Sequence, residues 1–255
     1  MNSIERINDL LDQAQLFCLA TVIASSDETI AAGHRVIVLR DGTLEFGTGR
    51  PDVDGHIRSR ALACLSAQKK ETVELEPGLF VFFDILAAAA SLIICGAGHI
   101  AIPLSRFAGE LGFAVTVIDD RSDFAHPARF PGCAVIAGEF IPSLRSITIN
   151  RASYVVVITR GHEHDAECLE EVLTHETAYV GLIGSRRRVG FVLETLLKKG
   201  FPQERLEAVC TPIGVPIGAE SPEEIAVSIA AELVCVRRKG IAQAKALAAA
   251  VRKKP

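Results

Sequence analysis

Apolar and polar positions change rhythm about a third of the way along the chain. Over residues 2–14, Ile4, Ile7, Leu10 and Leu11 recur at helical spacing, and FCLATVIA (Phe17–Ala24) is a β-rich run. HRVIVLRDGTLEFG (34–47) predicts a hairpin turning at Asp41-Gly42. Residues 52–68 are patterned as a helix, ETVEL (71–75) and LFVFFDI (79–85) as strands. This first third is expected to form a small α+β domain over residues 1–88, with Ala87–Ala90 as the junction.

From Ser91 the strands become continuously apolar: SLIIC (91–95), AVTVID (114–119), CAVIA (133–137), SYVVVIT (153–159) and AYVGLI (178–183). Helical patterns lie between them over 99–111, 164–175 and 186–199. A last helix opens at Ser221-Pro222-Glu223-Glu224, where Ser221 and Glu224 form a capping box. Continuous apolar strands alternating with helices predict a parallel sheet covered on both faces. The fold class is therefore α/β, a Rossmann-like domain over 89–240 preceded by the smaller α+β domain. Residues 241–255, rich in Ala and Lys, are expected as a frayed helical tail. Pro103 falls in the first turn of its helix, where a missing N–H is tolerated.

Composition narrows the picture in three ways. With 49% hydrophobic residues the chain can bury a core, and a net charge of −4 provides no broad basic surface for nucleic acid. The longest apolar stretch, 79–95, is broken by Asp84 and Ser91 and is no membrane span. The start, MNSIERINDLLDQAQ, lacks the apolar run of a signal peptide, so a cytoplasmic protein is expected. The seven cysteines form no C-x-x-C pair, which speaks against a disulfide framework or a zinc site.

Four clusters carry chemistry. Gly96-Ala97-Gly98-His99-Ile100-Ala101 joins a strand to a helix. Gly96 permits the turn, Gly98 lets a phosphate approach the backbone, and the helix N-terminus offers unpaired N–H groups to an anion. Asp119, 23 residues after Gly96, stands near the spacing of a ribose-binding acid, with Asp120 and Arg121 beside it. The turn Thr159–Asp165 holds Arg160, His162, His164 and Asp165 at a strand's carboxyl end. His162, His164 and Asp165 have the atoms to bind a metal or move a proton, but no H-E-x-x-H helix or full ligand set accompanies them. Asp165 either touches a ligand or N-caps the next helix. Gly184-Ser185-Arg186 opens another helix, with Ser185 as cap and Arg186 or Arg187 as a phosphate grip or a solvated turn. Pro212, Ile213 and Gly214 belong to TPIGVPIGAE, a rigid loop that lines a pocket or merely connects. On these residues alone NAD(P) binding, with His162 or His164 as acid/base, is one reading.

Together and in this order, the clusters resemble the XdhC/CoxI family, accessory proteins of xanthine dehydrogenase and carbon monoxide dehydrogenase. The similar stretches are GAGHIAIPLSRFAGELGFAVTVIDDRSDFAHPARFP, TRGHEHD, YVGLIGSRRR and TPIGVPIGAESPEEIAVSIAAELV, within residues 91–238. LATVIASS and HRVIVLRDG are similar to the family's N-terminal domain. There the chain departs: the family's glycine-rich segment with a cysteine and a glutamate is replaced by Phe46–Asp52, and no cysteine stands there. The resemblance implies a maturation factor that binds molybdenum cofactor (molybdopterin), protects it during sulfuration and hands it to a molybdenum hydroxylase. It implies as partners that hydroxylase, of xanthine or CO dehydrogenase type, and a cysteine desulfurase. A homodimer is the default expectation. NAD(P) as cofactor and a degenerate scaffold that binds none are the alternatives.

Overall fold

The computed structural model describes residues 2–13 and 15–252. The chain divides into two compact units, Met1–Ala88 and Ala89–Pro255.

In the first unit, α1 (Ser3–Asp12) is followed by β1 (Phe17–Ala24), β2 (Arg35–Leu39), β3 (Leu44–Glu45), α2 (Pro51–Ala67), β4 (Glu71–Glu76) and β5 (Leu79–Leu86). Asn2 starts α1 with a capping box: its side chain accepts from the Glu5 amide, and Glu5 accepts from the Asn2 amide. The five strands form an antiparallel sheet in the order β3-β2-β1-β5-β4. Alternation sends Cys18, Ala20, Val36, Val38, Val81 and Phe83 into a core with Val53, Ile57 and Ala61 of α2. Phe17 and Ile37, out of phase with these, cluster with Leu10 of α1. The loop Phe46–Asp52 is closed by Arg50, whose guanidinium meets Asp27 at 2.8 Å, Glu76 at 3.3 Å and Asp52. Thr48 donates through its amide and its hydroxyl to Asp54 Oδ1, both at 2.8 Å.

The second unit runs β6 (Ser91–Cys95), α3 (Ala101–Glu110), β7 (Ala114–Asp119), β8 (Ala134–Ala137), α4 (Phe140–Arg145), β9 (Ser153–Val157), α5 (His162–Val172), β10 (Tyr179–Leu182), α6 (Arg186–Lys198), α7 (Gln203–Ala208), α8 (Pro222–Lys239) and α9 (Ile241–Arg252). All five strands are parallel, in the order β10-β9-β6-β7-β8. Counted within the unit this is 5-4-1-2-3, the Rossmann order, and its topological switch lies between β6 and β9. Leu92, Ile94, Val117 and Val156 pack with Leu104 and Ala108 of α3 and Ile229 and Leu233 of α8. Ile93, Ile118, Val155 and Val157 face the other way, into Leu169 and Val172 of α5 and Val192 and Leu196 of α6. No helix among the described residues is long and apolar enough to cross a membrane.

Four local expectations change. The helix expected from His99 begins at Ala101, because Gly98–Ile100 form a turn. The helix expected from His164 begins two residues earlier, at His162, because Gly161 is the residue that breaks to extended backbone. The short α4 and α7 were not anticipated. Residues 241–252, expected as a frayed tail, form a regular helix against α8, with Ala244 and Ala248 buried.

Candidate functional site

The turns that follow β6, β7 and β9 meet at one edge of the parallel sheet. Gly96, at φ +116°, lets its turn pass tight against β9: a Cβ there would sit 2.5 Å from the Ile158 carbonyl oxygen. Its amide donates to the Ile118 carbonyl at 2.7 Å. The next amide, of Ala97, donates to Asp119 Oδ2 at 2.7 Å. Beyond it the backbone is unclaimed. Among the described residues, the N–H groups of Gly98, His99 and Ile100 donate to no protein acceptor, and α3 has no side-chain cap. A Cβ placed on Gly98 would have no atom within 4 Å. Three amides without protein acceptors among the described residues, beside open space at the positive end of a helix, could cradle an anion.

Asp119 ends β7 and is 1% exposed. Both its oxygens are engaged, by the Ala97 amide and by the Arg121 amide, Nε and Nη2 at 2.8–3.0 Å. Burial pushes its carboxyl up, but the Arg121 guanidinium and the two amides outweigh burial and bring the pKa down to about 2. Arg121 in turn stacks over the Phe124 ring at 3.6 Å. Asp119 and Arg121 thus fasten the turn itself rather than facing outward. Asp120 differs. Its Oδ2 accepts from Arg160 Nη2 at 2.6 Å, while its Oδ1 is buried and has no hydrogen-bond partner among the described residues. Since β7 and β9 flank β6, the Asp120–Arg160 pair joins the turns on either side of the glycine turn.

After β9, Asp165 is fully buried in the first turn of α5; it is not the N-cap, which is Gly161. Its Oδ1 accepts from the Thr159 hydroxyl at 2.6 Å and its Oδ2 from Arg188 Nε at 2.5 Å. Arg188 Nη2 also donates to the Thr159 carbonyl at 3.1 Å. His164 turns toward Glu167 and the Phe140 ring. The side chains of His162 and Arg186 lie outside the described residues. Among the described residues, no group of three or more His, Cys, Asp or Glu is placed to hold a metal ion.

At the end of β10, Ser185 caps α6 by accepting from the Arg188 amide at 3.3 Å, and with Arg187, Arg188 and Phe191 it lines a cavity of about 320 Å³. Pro212, Ile213 and Gly214 line a second hollow of about 340 Å³ with Ile183 and Gly184, so that loop does border a pocket. It is also rigidly placed. Gly214, at φ +89°, lies so close to α8 that a Cβ would sit 2.3 Å from Ser228 Oγ, and its amide donates to Glu232 Oε2 at 2.8 Å. Sequence reasoning named Arg188 and Thr159 within their clusters but missed that both bond to Asp165. The only local signal was that Arg188 falls three residues after the capping Ser185.

Comparisons with known proteins follow the same outline. A family model described as the XdhC Rossmann domain matches residues 92–233. The uncharacterized protein YqeB of Escherichia coli (strain K12) is 27% identical over 253 residues, covering 93% of this chain and 46% of the relative. A probable xanthine dehydrogenase subunit of Bacillus subtilis (strain 168) is 31% identical over 160 residues, covering 62% of this chain and 46% of the relative. The chain spans about half the length of these curated relatives. A crystal structure of a xanthine dehydrogenase from Bacillus halodurans shares the fold at a TM-score of 0.55 and 21% identity, covering 93% of this chain and 96% of that one.

Proposed function

Because this chain belongs to the XdhC family, we propose that it is an accessory factor that holds molybdenum cofactor at the carboxyl edge of its parallel sheet and delivers it to a xanthine dehydrogenase-type molybdenum hydroxylase. The observation that carries this reading is a set of unspent bonding groups on that edge. They are the amides of Gly98, His99 and Ile100, the open space beside Gly98, and the buried Asp120 Oδ1, which accepts no hydrogen bond among the described residues and has Arg121 Nε at 4.0 Å.

When bound, the cofactor supplies a phosphate, or in some bacteria a nucleotide diphosphate, on a pterin that carries the metal for the client enzyme's chemistry. The residues present suit such a group. The three amides and the dipole of α3 suit the phosphate. Asp120 Oδ1 suits an N–H or O–H donor of the ring. Pro212 and Ile213 provide apolar wall. Asp165 and Arg188 hold Thr159, and so position the turn that carries Arg160. Asp119, the acid whose spacing points to a nucleotide ribose, has both oxygens engaged within the protein, which favours the pterin over NAD(P). A scaffold without a small molecule would leave the free amides and Asp120 Oδ1 without a use. The client hydroxylase, a cysteine desulfurase as sulfur donor, a second copy of the chain and a cytoplasmic setting complete the proposal.

Mass spectrometry of small molecules carried through gentle anaerobic purification tests it. The expected result is a molybdopterin species. Gly98→Val puts a side chain into the cradle whose Cβ has no non-neighbouring atom within 4 Å, so the thermal midpoint should hold while affinity falls. Losing phosphate contacts worth about 3 kcal/mol corresponds to roughly 100-fold. A purified chain that retains no pterin and does not raise hydroxylase activation would remove the reading.

A further inference from the structure

We infer that the open cavity between α6, α7, α8 and α9 is a binding site for a small amide, a molecule pairing an N–H with a C=O on an apolar body. The cavity measures about 310 Å³, at the lower end of what small-molecule sites occupy. It is lined by apolar side chains, among them Leu206 and Val209, and by four polar residues, Glu207, Thr211, Glu232 and Lys245; Glu207 is exposed and its carboxylate accepts from Gln203 Nε2 at 2.7 Å.

Glu232 is the anchor of the argument. It lies on α8 and is 2% exposed. Its Oε2 accepts from the Tyr179 hydroxyl at 2.5 Å and from the Gly214 amide at 2.8 Å. Its Oε1 accepts from no group among the described residues. A carboxylate oxygen left without a donor in an apolar cavity is costly, and an occupant that brings an N–H relieves that cost. Lys245, on α9, donates to the carbonyls of Glu207 and Val209, which leaves one of its three N–H bonds without a protein acceptor among the described residues. Thr211 Oγ1, on another residue of the cavity, is buried with no hydrogen-bond partner among the described residues. One unspent acceptor and two unspent donor groups, set in apolar walls, match a ligand with a donor beside an acceptor. A carboxylate ligand would set its charge against Glu232, and an amine would set its charge against Lys245. A neutral amide meets neither conflict.

Titration calorimetry of the full chain with benzamide tests this, with benzoate and benzylamine alongside and a crystal soaked in benzamide. Benzamide is expected to bind at least tenfold more tightly than either charged analogue, with its nitrogen on Glu232 Oε1. Ala249→Phe fills the cavity from an exposed position on α9 and should weaken benzamide at least tenfold at an unchanged thermal midpoint. Glu232→Gln replaces the acceptor and should do the same. Gly98→Val should leave benzamide binding untouched, which separates this site from the anion cradle. No heat with benzamide, equal binding of benzoate, indifference to Ala249→Phe, or ordered water alone in the crystal would each overturn the inference.

Discussion

The two sheets of this chain hide their strands differently, and their charges behave differently as a result. In the parallel sheet β9 is buried at every position and β10 likewise. In the antiparallel sheet β4 alternates between half-buried and exposed along most of its length, and β5 buries one face, through Leu79, Val81 and Phe83. A sheet covered on both faces has no room for polar side chains except past its strand ends. Asp119, Asp120, Arg160 and Asp165 therefore gather on one edge, and two of them are wholly desolvated. The antiparallel sheet leaves its charges in loops and on rims, where Arg50 gathers Asp27, Asp52 and Glu76 in contact with water. Equal-looking ion pairs should thus carry unequal weight.

Substitutions can break that comparison, and the largest effect belongs to a residue without charge. Gly96→Val forces a Cβ toward the Ile158 carbonyl from a positive φ, and should cost about 4 kcal/mol or more, read as a fall in the urea midpoint. Asp165→Asn comes next. It leaves the Arg188 guanidinium without its carboxylate and should cost about 3 kcal/mol by the same measurement. If Asp165→Asn changed the midpoint no more than Arg50→Ala, desolvation would not be what separates the two regions.

Acid titration sharpens the contrast. Asp119 titrates near 2 in the folded chain, against an ordinary value near 4. A carboxylate with a depressed folded pKa adds stability above its unfolded pKa and loses it as pH falls toward the folded value. The thermal midpoint should therefore drop between about pH 4 and pH 2, and Asp119→Asn should flatten that drop. Asp27 is also brought to about 2, by the hydroxyl and amide of Thr29 and by Arg50, but it stands in water. The part of its pH dependence that comes from Arg50 should weaken in high salt, while the part that comes from Thr29, like that of buried Asp119, should persist. The smallest expected effect is Arg50→Ala, a slight fall in thermal midpoint that added salt abolishes.

Much of the fold was legible because buried parallel strands are written as unbroken apolar runs, and because Ser185 and Ser221 announce the helices they cap. The short helices were not. α4 contains Pro142, and α7 is the polar stretch QERLEA, so neither shows a long apolar period, although Phe140, Ser143 and Leu144 do recur on one face. The last helix looked solvated because alanine buries well without looking hydrophobic in pattern. The candidate site was legible in its glycines and in its placement at strand ends. The roles within it were not. The spacing from Gly96 to Asp119 is the same whether the acid reads a sugar or ties down its own turn. The bond between Asp165 and Arg188 spans 23 residues that only folding brings together.

The clasp of Asp119 on Ala97 has a kinetic consequence. A turn already held by its own acid does not need a ligand to shape it, so little disorder is lost when an anion arrives. Ligand exchange at such a mould would be governed by how quickly the guest leaves, not by how slowly the host rearranges. Fast release of that kind would suit the delivery role proposed above.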